Sequence, residues 1–151
     1  MFYQESYCDS QYLWTSPDWL GPGWYRISGG AGTQLAESAP EPNGACGTGW
    51  PGWMRGGGHP LEEEGQVERQ VCFNNDEGEP CDTFAVDISV INCGVFYLYY
   101  LPNTLTCFLR YCAANSLQTL IRSSQFVPDG FFGEVPLSEC GKDAKECLCL
   151  L

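Results

Sequence analysis

The sequence predicts a small, mainly β, antiparallel domain that is rich in loops and held together by disulfide bonds. Ten cysteines among 151 residues indicate an oxidising compartment, because thiols at this density are uncommon in the reducing cytosol. Eighteen glycines and ten prolines favour turns over long helices. Several short segments alternate apolar and polar residues, which is typical of strands with one buried face. We therefore expect an extracellular β domain with an irregular or partly helical C-terminal tail.

The densest apolar stretch runs from residue 84 to residue 112 and predicts three successive strands. Val86, Ile88 and Val90 alternate with Asp87 and Ser89. A tight connection at 92–94 then leads into the apolar and aromatic segments that follow. Strand, connection, strand, turn and strand in this order predict an antiparallel meander.

The earlier part of the chain supplies weaker strand signals. Residues 24–27 predict a short strand, and the alternation over 66–73 predicts an edge strand. Residues 62–65 are three glutamates and a glycine, which indicate a solvated turn. Seven of the 17 residues from 44 to 60 are glycine and no periodicity is visible, so this segment is predicted to be a loop. Trp50 and Trp53 favour an ordered loop, because a freely moving one would gain nothing by exposing two indoles.

The pattern changes after residue 112, and we place a domain boundary there. Residues 1–112 are interpreted as the cysteine-rich domain, and 113–151 as a C-terminal extension or the truncated start of another module. Leu117, Leu120 and Ile121 have helical spacing, and three further cysteines follow. The first residues contain no secretion signal, although the cysteines require secretion. We therefore expect the N-terminus to be incomplete.

Charge and hydropathy exclude two classes of partner. The formal net charge of −12 would repel a nucleic-acid backbone, and no basic patch is visible. The longest apolar run, residues 94–101, is far shorter than the ~20 residues of a membrane-spanning helix. We expect neither nucleic-acid binding nor membrane insertion by this chain.

The sequence contains no recognisable catalytic or metal-binding motif. It has one histidine and no CxxC pair, which the common structural zinc sites would show. His59 is predicted to be a turn residue hydrogen-bonded to the backbone. We therefore predict that the protein is not an enzyme and needs no cofactor or metal. Only a sealed site around His59 with an acidic partner would favour catalysis.

Two cysteines of the apolar stretch cannot bond to each other. Cys107 and Cys112 are five residues apart, which in an extended segment separates their Cα atoms by about 16 Å. A disulfide spans less than about 7 Å. Their odd spacing places them on opposite faces of a strand, so each should bond a different earlier segment.

An ordered set of short motifs resembles a known extracellular family. They include Cys46-Gly47-Thr48, Pro51-Gly52-Trp53-Met54, Gly58-His59-Pro60, Cys93-Gly94-Val95-Phe96-Tyr97 and Arg110-Tyr111-Cys112. The chain resembles, over about residues 8–112, the eight-cysteine domain shared by uromodulin, the pancreatic secretory granule membrane glycoprotein and the von Willebrand factor D and EGF domain-containing protein. The resemblance implies a secreted, all-β, disulfide-linked module without enzymatic activity, with further extracellular modules beside it in the full-length protein.

The resemblance also implies a disulfide pattern. It pairs Cys8 with Cys107, Cys46 with Cys112, and Cys72 with Cys81. Two cysteines that bond each other in the family are both absent here. The family partner of Cys93 lies upstream of Cys8 and is missing, so we expect Cys93 either to bond Cys140 or to be free. Cys147 and Cys149 lie too close in sequence to pair easily with each other.

The function predicted is recognition or adhesion through the loops, with a protein or carbohydrate ligand whose identity is unknown. The candidate contact loop contains four residues in particular: Trp50, Trp53, Arg55 and His59. The alternative is a structural spacer within a larger extracellular protein. An exposed aromatic patch would favour recognition, and buried indoles throughout would favour the spacer.

The resemblance further raises the question of a glycan. In the family, a high-mannose glycan on this domain acts as a decoy for bacterial fimbriae. None of the six asparagines of this chain begins an N-x-[ST] motif. We therefore predict that this chain carries no N-linked decoy.

Overall fold

The computed structural model describes residues 19, 21–28, 32–40, 46, 48–73, 81–114, 131–134 and 149. Within these ranges the regular secondary structure is almost entirely β, and the other residues form turns and loops. Nine strands follow one another: β1 Gly23–Ser28, β2 Gln34–Leu35, β3 Trp50–Arg55, β4 Gln66–Phe73, β5 Ala85–Asn92, β6 Tyr97–Leu101, β7 Leu109–Tyr111, β8 Ala113–Ala114 and β9 Phe131–Glu134. One 3-10 turn, Glu62–Glu64, precedes β4, and its glutamates are exposed as expected for a solvated turn. The helical spacing at 117–121 lies outside the described residues.

Seven strands form one sheet, in the order β7-β3-β4-β5-β6-β1-β9. All neighbours in it are antiparallel except β3 and β7, which are parallel. The remaining two strands, β2 and β8, form a small antiparallel sheet. The predicted mainly β, largely antiparallel and disulfide-linked fold class is confirmed.

The longest ladder joins β4 and β5, where the alternation of the sequence is clearest. Val67 pairs with Val90 and Val71 with Val86, so the apolar residues of both strands lie on one face. Polar residues of the same strands, such as Glu68 and Asp87, are exposed on the other face. One buried and one wet face is what period-2 alternation produces.

The main core lies on the apolar face of the large sheet, where Leu35 of β2 packs against it and Ala113 of β8 adjoins it. Its largest fully buried side chains include Tyr25, Tyr99, Tyr111 and Phe73. A second, smaller cluster of Trp24, Ile91 and Leu98 packs with Phe96, Cys93 and Cys149. Trp24 and Leu98 each come one position before a residue of the main core, Tyr25 and Tyr99. Neighbouring side chains of a strand point to opposite faces, so this cluster lies on the opposite face of the sheet. Both faces of the β6 and β1 region are therefore covered.

Three expectations about the strands are wrong. β7 does not continue a meander beside β6 but lies at the far edge of the sheet, next to β3. β4 is not an edge strand, because β3 occupies the place beside it. The glycine-rich segment 44–60 is not only loop, since it contains β3. Period-2 alternation reveals which face is buried but not which strands are neighbours, and Pro51 and Gly52 concealed β3.

The disulfides join distant parts of the chain to this sheet. Cys46–Cys112 and Cys72–Cys81 are present as the resemblance implies, with Cα–Cα distances of 5.8 and 4.6 Å. Cys107 is also disulfide-bonded, but its expected partner Cys8 lies outside the described residues.

The expectation for Cys93 needs correction. It is bonded to Cys149, with a Cα–Cα distance of 5.2 Å, and is neither free nor joined to Cys140. Loop-closure entropy differs by only about 0.2 kcal/mol between these two partners, so sequence spacing could not choose between them. Packing decides, because Cys149 lies against the Trp24, Ile91 and Leu98 cluster beside Cys93.

The region beyond residue 112 takes part in the same fold. β8 pairs with β2, β9 pairs with β1, and Cys149 is bonded to Cys93. The division at residue 113 stays a prediction, but strands from both sides of it pair with one another.

Candidate functional site

The four predicted contact residues do not share one surface. Trp50 packs against the main core and contacts Phe84 in a tilted arrangement, with ring centroids 5.3 Å apart. Trp53 and Arg55 lie on the opposite face of β3, where Trp53 is half-buried and Arg55 is exposed. The side chain of His59 is only 5% exposed. Alternation along a strand separates residues that a loop could have presented together.

The other described tryptophans are buried as well. Trp19 and Trp24 are each 6% exposed, and Trp19 stacks on Tyr25 at 5.1 Å. Trp14 lies outside the described residues. In the described ranges, therefore, the tryptophans form no exposed contiguous patch.

His59 belongs to a polar cluster that joins three segments, in which Tyr99 is fully buried and the side chain of Glu37 is 37% exposed. The cluster lies at one end of the sheet, where β3 leads into β4 and β5 leads into β6. The imidazole Nδ1 contacts Glu37 Oε1, and Nε2 is 2.6 Å from the hydroxyl of Tyr99. The His59 amide donates to the same Glu37 oxygen at 2.9 Å, and the Leu35 amide donates to the Tyr99 hydroxyl at 3.1 Å. The imidazole also contacts the ring of Tyr97 in a tilted arrangement, with ring centroids 4.3 Å apart.

These partners assign the protons of the cluster. Ionised Glu37 can only accept, so Nδ1 carries a hydrogen. The Tyr99 hydroxyl accepts from Leu35 and donates its own hydrogen to the unprotonated Nε2. With a neutral imidazole, each hydrogen bond in the series from Glu37 through His59 and Tyr99 to the Leu35 amide has one donor and one acceptor.

The pKa values agree with this assignment. Burial lowers the pKa of His59, which outweighs the hydrogen bond and charge of Glu37, and the charge of Arg69 lowers it further. Burial acts to raise the pKa of Glu37, but the hydrogen bonds from the imidazole and the amide of His59 bring it below its usual value. Burial raises the pKa of the Tyr99 phenol well above its ordinary value.

A turn of three glycines makes room for the Glu37 carboxylate. Gly56, Gly57 and Gly58 have φ values of 94°, 102° and 72°, in the region that favours glycine. A Cβ at Gly58 would lie 3.3 Å from Glu37 Oε1. The Gly58 carbonyl accepts a 2.9 Å hydrogen bond from Arg69 Nε, so the turn is held from both sides.

The outcome for His59 differs from the sequence prediction. Its ring is hydrogen-bonded to two side chains rather than to the backbone. Sequence reasoning missed Glu37 and Tyr99 altogether, since both lie far from His59 in the chain. The Gly-Gly-Gly-His-Pro run was the available signal, because such a turn can bring an amide and an imidazole to one acceptor.

Five large apolar side chains of the described residues are exposed, and two of them belong to the connection between β6 and β7. Leu105 is 58% exposed and Phe108 is 49% exposed. Phe108 also has a φ of 72°, an uncommon conformation for a bulky residue. Because β6 and β7 run in opposite directions at opposite parts of the sheet, loop 102–108 crosses the end of the sheet that lies away from His59.

Loop 102–108 is held firmly in place. Trp19 Nε1 donates to Asn103 Oδ1 at 3.0 Å, and the Tyr111 hydroxyl donates to the Pro102 carbonyl at 2.7 Å. The Phe108 carbonyl accepts from Thr48 Oγ1 at 2.6 Å and from the Trp50 amide at 2.8 Å. Cys107 adds a disulfide. The loop therefore exposes two apolar side chains from a rigid backbone.

The structure offers no site for a metal in its described part. No three of the His, Cys, Asp and Glu side chains there are grouped as ligands for an ion. Those same ranges also contain no helix of the length and hydropathy that a membrane span requires.

The sequence matches a known domain family. The profile of the uromodulin-like D8C domain matches residues 25–113, which is more than half of the sequence. The chain belongs to the uromodulin-like D8C domain family.

Curated relatives support the D8C assignment. Mouse uromodulin is 37% identical over 95 residues, covering 62% of this chain and 14% of the relative. Pancreatic secretory granule membrane major glycoprotein GP2 from dog is 36% identical over 98 residues, covering 64% and 18%. The rat GP2 protein is 34% identical over 98 residues, covering 62% and 18%. The chain spans less than a fifth of the length of these relatives. The D8C domain is extracellular, and its disulfide bonds fit this location because they persist in an oxidising environment.

Proposed function

We propose that this D8C domain is a non-catalytic recognition module that binds an extracellular protein partner through loop 102–108. The observation that carries the proposal is the pair of exposed apolar side chains, Leu105 and Phe108, on a backbone held by hydrogen bonds and a disulfide. Flanking extracellular modules in the full-length protein would position it.

Rigidity is what makes this loop a better contact surface than the others. Binding costs about 0.5–1.5 kcal/mol for each side chain that must be ordered, and a loop already ordered avoids much of this cost. Phe108 is held in a conformation that costs about 1–2 kcal/mol relative to the usual one. Burial of a half-exposed ring repays only about half of the 1.5–3 kcal/mol that a fully buried one contributes. Folding alone gives little reason for a phenylalanine at this position, and recognition supplies one.

The geometry of the His59 cluster supports the absence of catalysis. Glu37 is the acidic partner that would favour an enzyme, but both imidazole nitrogens are occupied, one by Glu37 and one by Tyr99. Tyr99 is fully buried and its pKa is raised, so its phenol is neither accessible nor activated as a nucleophile.

The second candidate is the structural spacer. It is favoured by the tryptophans, since Trp19 and Trp24 are buried and Trp50 packs on the core. On this hypothesis Leu105 and Phe108 are scattered surface residues without a partner.

A paired substitution separates the two candidates. Leu105→Ala with Phe108→Gly removes both apolar side chains, and glycine accepts the positive φ of residue 108 without strain. Leu61→Ala is the matched control, because Leu61 is 60% exposed against 58% for Leu105 and lies at the other end of the sheet. The three proteins are tested against an array of extracellular proteins by surface plasmon resonance.

Recognition predicts a partner that binds the wild type and the Leu61→Ala control equally, and the loop variant at least tenfold more weakly. The loop variant should unfold at nearly the wild-type denaturant concentration, because relief of the backbone conformation offsets the lost burial. Absence of any binder, or equal loss in the control, supports the spacer instead.

A further inference from the structure

The Glu37, His59 and Tyr99 cluster joins the segment 32–40 to the large sheet at the His59 turn, in addition to the backbone hydrogen bonds that Ala36 makes with Met54 and Cys112. Glu37 follows β2, which lies on the core face of the large sheet. His59 lies in the connection from β3 to β4, and Tyr99 is on β6. The hydrogen bonds of these side chains therefore connect the segment 32–40 to two separate places on the large sheet.

We propose that this cluster is an acid-sensitive latch, closed at neutral pH and released by protonation, that detaches the segment 32–40 from the His59 turn. The proposal is independent of loop 102–108, which lies at the other end of the sheet.

The hydrogen-bond pattern explains why a second proton on the imidazole would open the latch. In the closed state the Tyr99 hydroxyl donates to Nε2 and accepts from the Leu35 amide. A proton on Nε2 turns that nitrogen into a donor, so the hydroxyl hydrogen loses its acceptor inside a fully buried site. A buried donor without an acceptor is costly, and opening restores water to it.

The charged and titratable groups around His59 favour the same direction. Arg69 lies on the other side of the glycine turn and disfavours a second positive charge nearby. Tyr97 and Tyr99 contribute aromatic faces and a hydroxyl, and among the described residues Glu37 is the anion in contact with the ring. The attraction of Glu37 for imidazolium is outweighed by burial, since the pKa of His59 lies below its ordinary value.

The sign of the pH dependence follows from linkage. His59 and Glu37 both have folded-state pKa values below those of the unfolded or opened chain. Each therefore stabilises the closed state fully above its opened-state pKa, about 6.5 for histidine and 4.3 for glutamate, and less as pH falls through the folded-state pKa. One proton taken up on opening changes the equilibrium by about tenfold per pH unit.

Hydrogen exchange measures the latch directly. The amides of Leu35 and His59 donate to Tyr99 and Glu37, so their protection reports its closure. After correction for intrinsic exchange, their protection should fall by up to tenfold per pH unit below about pH 6.5. Amides in the centre of the β4 and β5 ladder, such as that of Ile88, should keep their protection from exchange over the same pH range. The single histidine also gives one unambiguous imidazole resonance whose pKa should lie below 6.5.

Two variants complete the test. Glu37→Gln should weaken protection at Leu35 and His59 at pH 7 and remove the part of the acid response that occurs below about pH 5. Glu63→Gln makes the same change on an exposed carboxylate and should change nothing. Tyr99→Phe removes the hydroxyl, so the Leu35 amide should lose its protection at every pH. The pKa of His59, measured from its imidazole resonance, should rise because Nε2 no longer accepts a hydrogen bond from Tyr99. An imidazole pKa at or above 6.5 in the wild type, or protection at Leu35 that does not change between pH 7 and 5, would overturn the proposal.

Discussion

Removing the Cys46–Cys112 bond should destabilise the domain more than removing Cys72–Cys81, although both are single links. The two bonds close loops with sequence separations of 66 and 9 residues. In the chain-entropy description these loops correspond to about 4.4 and 2.6 kcal/mol of stabilisation at 25 °C, a difference of about 1.8 kcal/mol.

The two pairs are well matched for a direct comparison. Cys72 and Cys112 are both fully buried, so alanine removes a similar amount of packing from each. Cys46 and Cys81 both have positive φ values, 62° and 77°, so alanine meets the same backbone strain in each. The loop length is the main difference that remains.

The measurement is guanidinium unfolding of the two double alanine variants, followed by tryptophan fluorescence. The Cys46→Ala/Cys112→Ala protein should unfold at the lower denaturant concentration, or lose cooperative unfolding while the other variant keeps it. Equal losses, or a larger loss for the short loop, would refute the reasoning that these bonds act on the unfolded chain. Full reduction by dithiothreitol should abolish the near-ultraviolet circular dichroism of the tryptophans, because the Cys46–Cys112, Cys72–Cys81 and Cys93–Cys149 links together correspond to about 11 kcal/mol, which is comparable with the typical stability of a domain, about 5–15 kcal/mol.

Two further predictions concern packing and glycosylation. Gly52→Ala should cost about 1–3 kcal/mol of unfolding free energy, because its Cβ would lie 2.6 Å from the Phe73 ring and 3.0 Å from the Arg110 carbonyl. Gly49→Ala is the control, since its nearest contact would be an ordinary 3.5 Å, and both are measured by thermal unfolding. Protein secreted by a eukaryotic host should show no change in mobility with an N-glycosidase and no mannose-inhibited binding to a fimbrial adhesin, because this chain has no N-x-[ST] motif. A shift in mobility after N-glycosidase treatment would disprove the prediction that this chain carries no N-linked glycan.

The contact surface illustrates a limit of reading residue types. Tryptophans are enriched at interfaces, and Trp50 and Trp53 lie among glycines, so the sequence favoured them as contacts. In the structure Trp50 packs on the core, and Phe108 and Leu105 are exposed in the connection between β6 and β7. Nothing in the local sequence distinguishes a buried aromatic residue from an exposed one when the strand pairing is unknown.

The sequence by itself determined the fold class, several strands and the chemical setting of the protein. Alternation over 84–91 and 66–73 depends only on neighbours two residues apart, so β5 and β4 could be predicted locally. The cysteine count required an oxidising compartment, and the ordered motifs indicated the family, which together implied two of the bonds that the structure contains.

The tertiary structure decided everything that depends on residues far apart in the chain. The place of β7 beside β3, the choice of Cys149 by Cys93 and the meeting of Glu37 with His59 and Tyr99 each join segments separated by 22 residues or more. The free-energy cost of closing a loop changes only slowly with loop length. Many alternative long-range partners therefore have nearly the same closure cost, and sequence separation does not choose among them. The selection among them is made by the packing of side chains around two cores, which exists only once the sheet has formed.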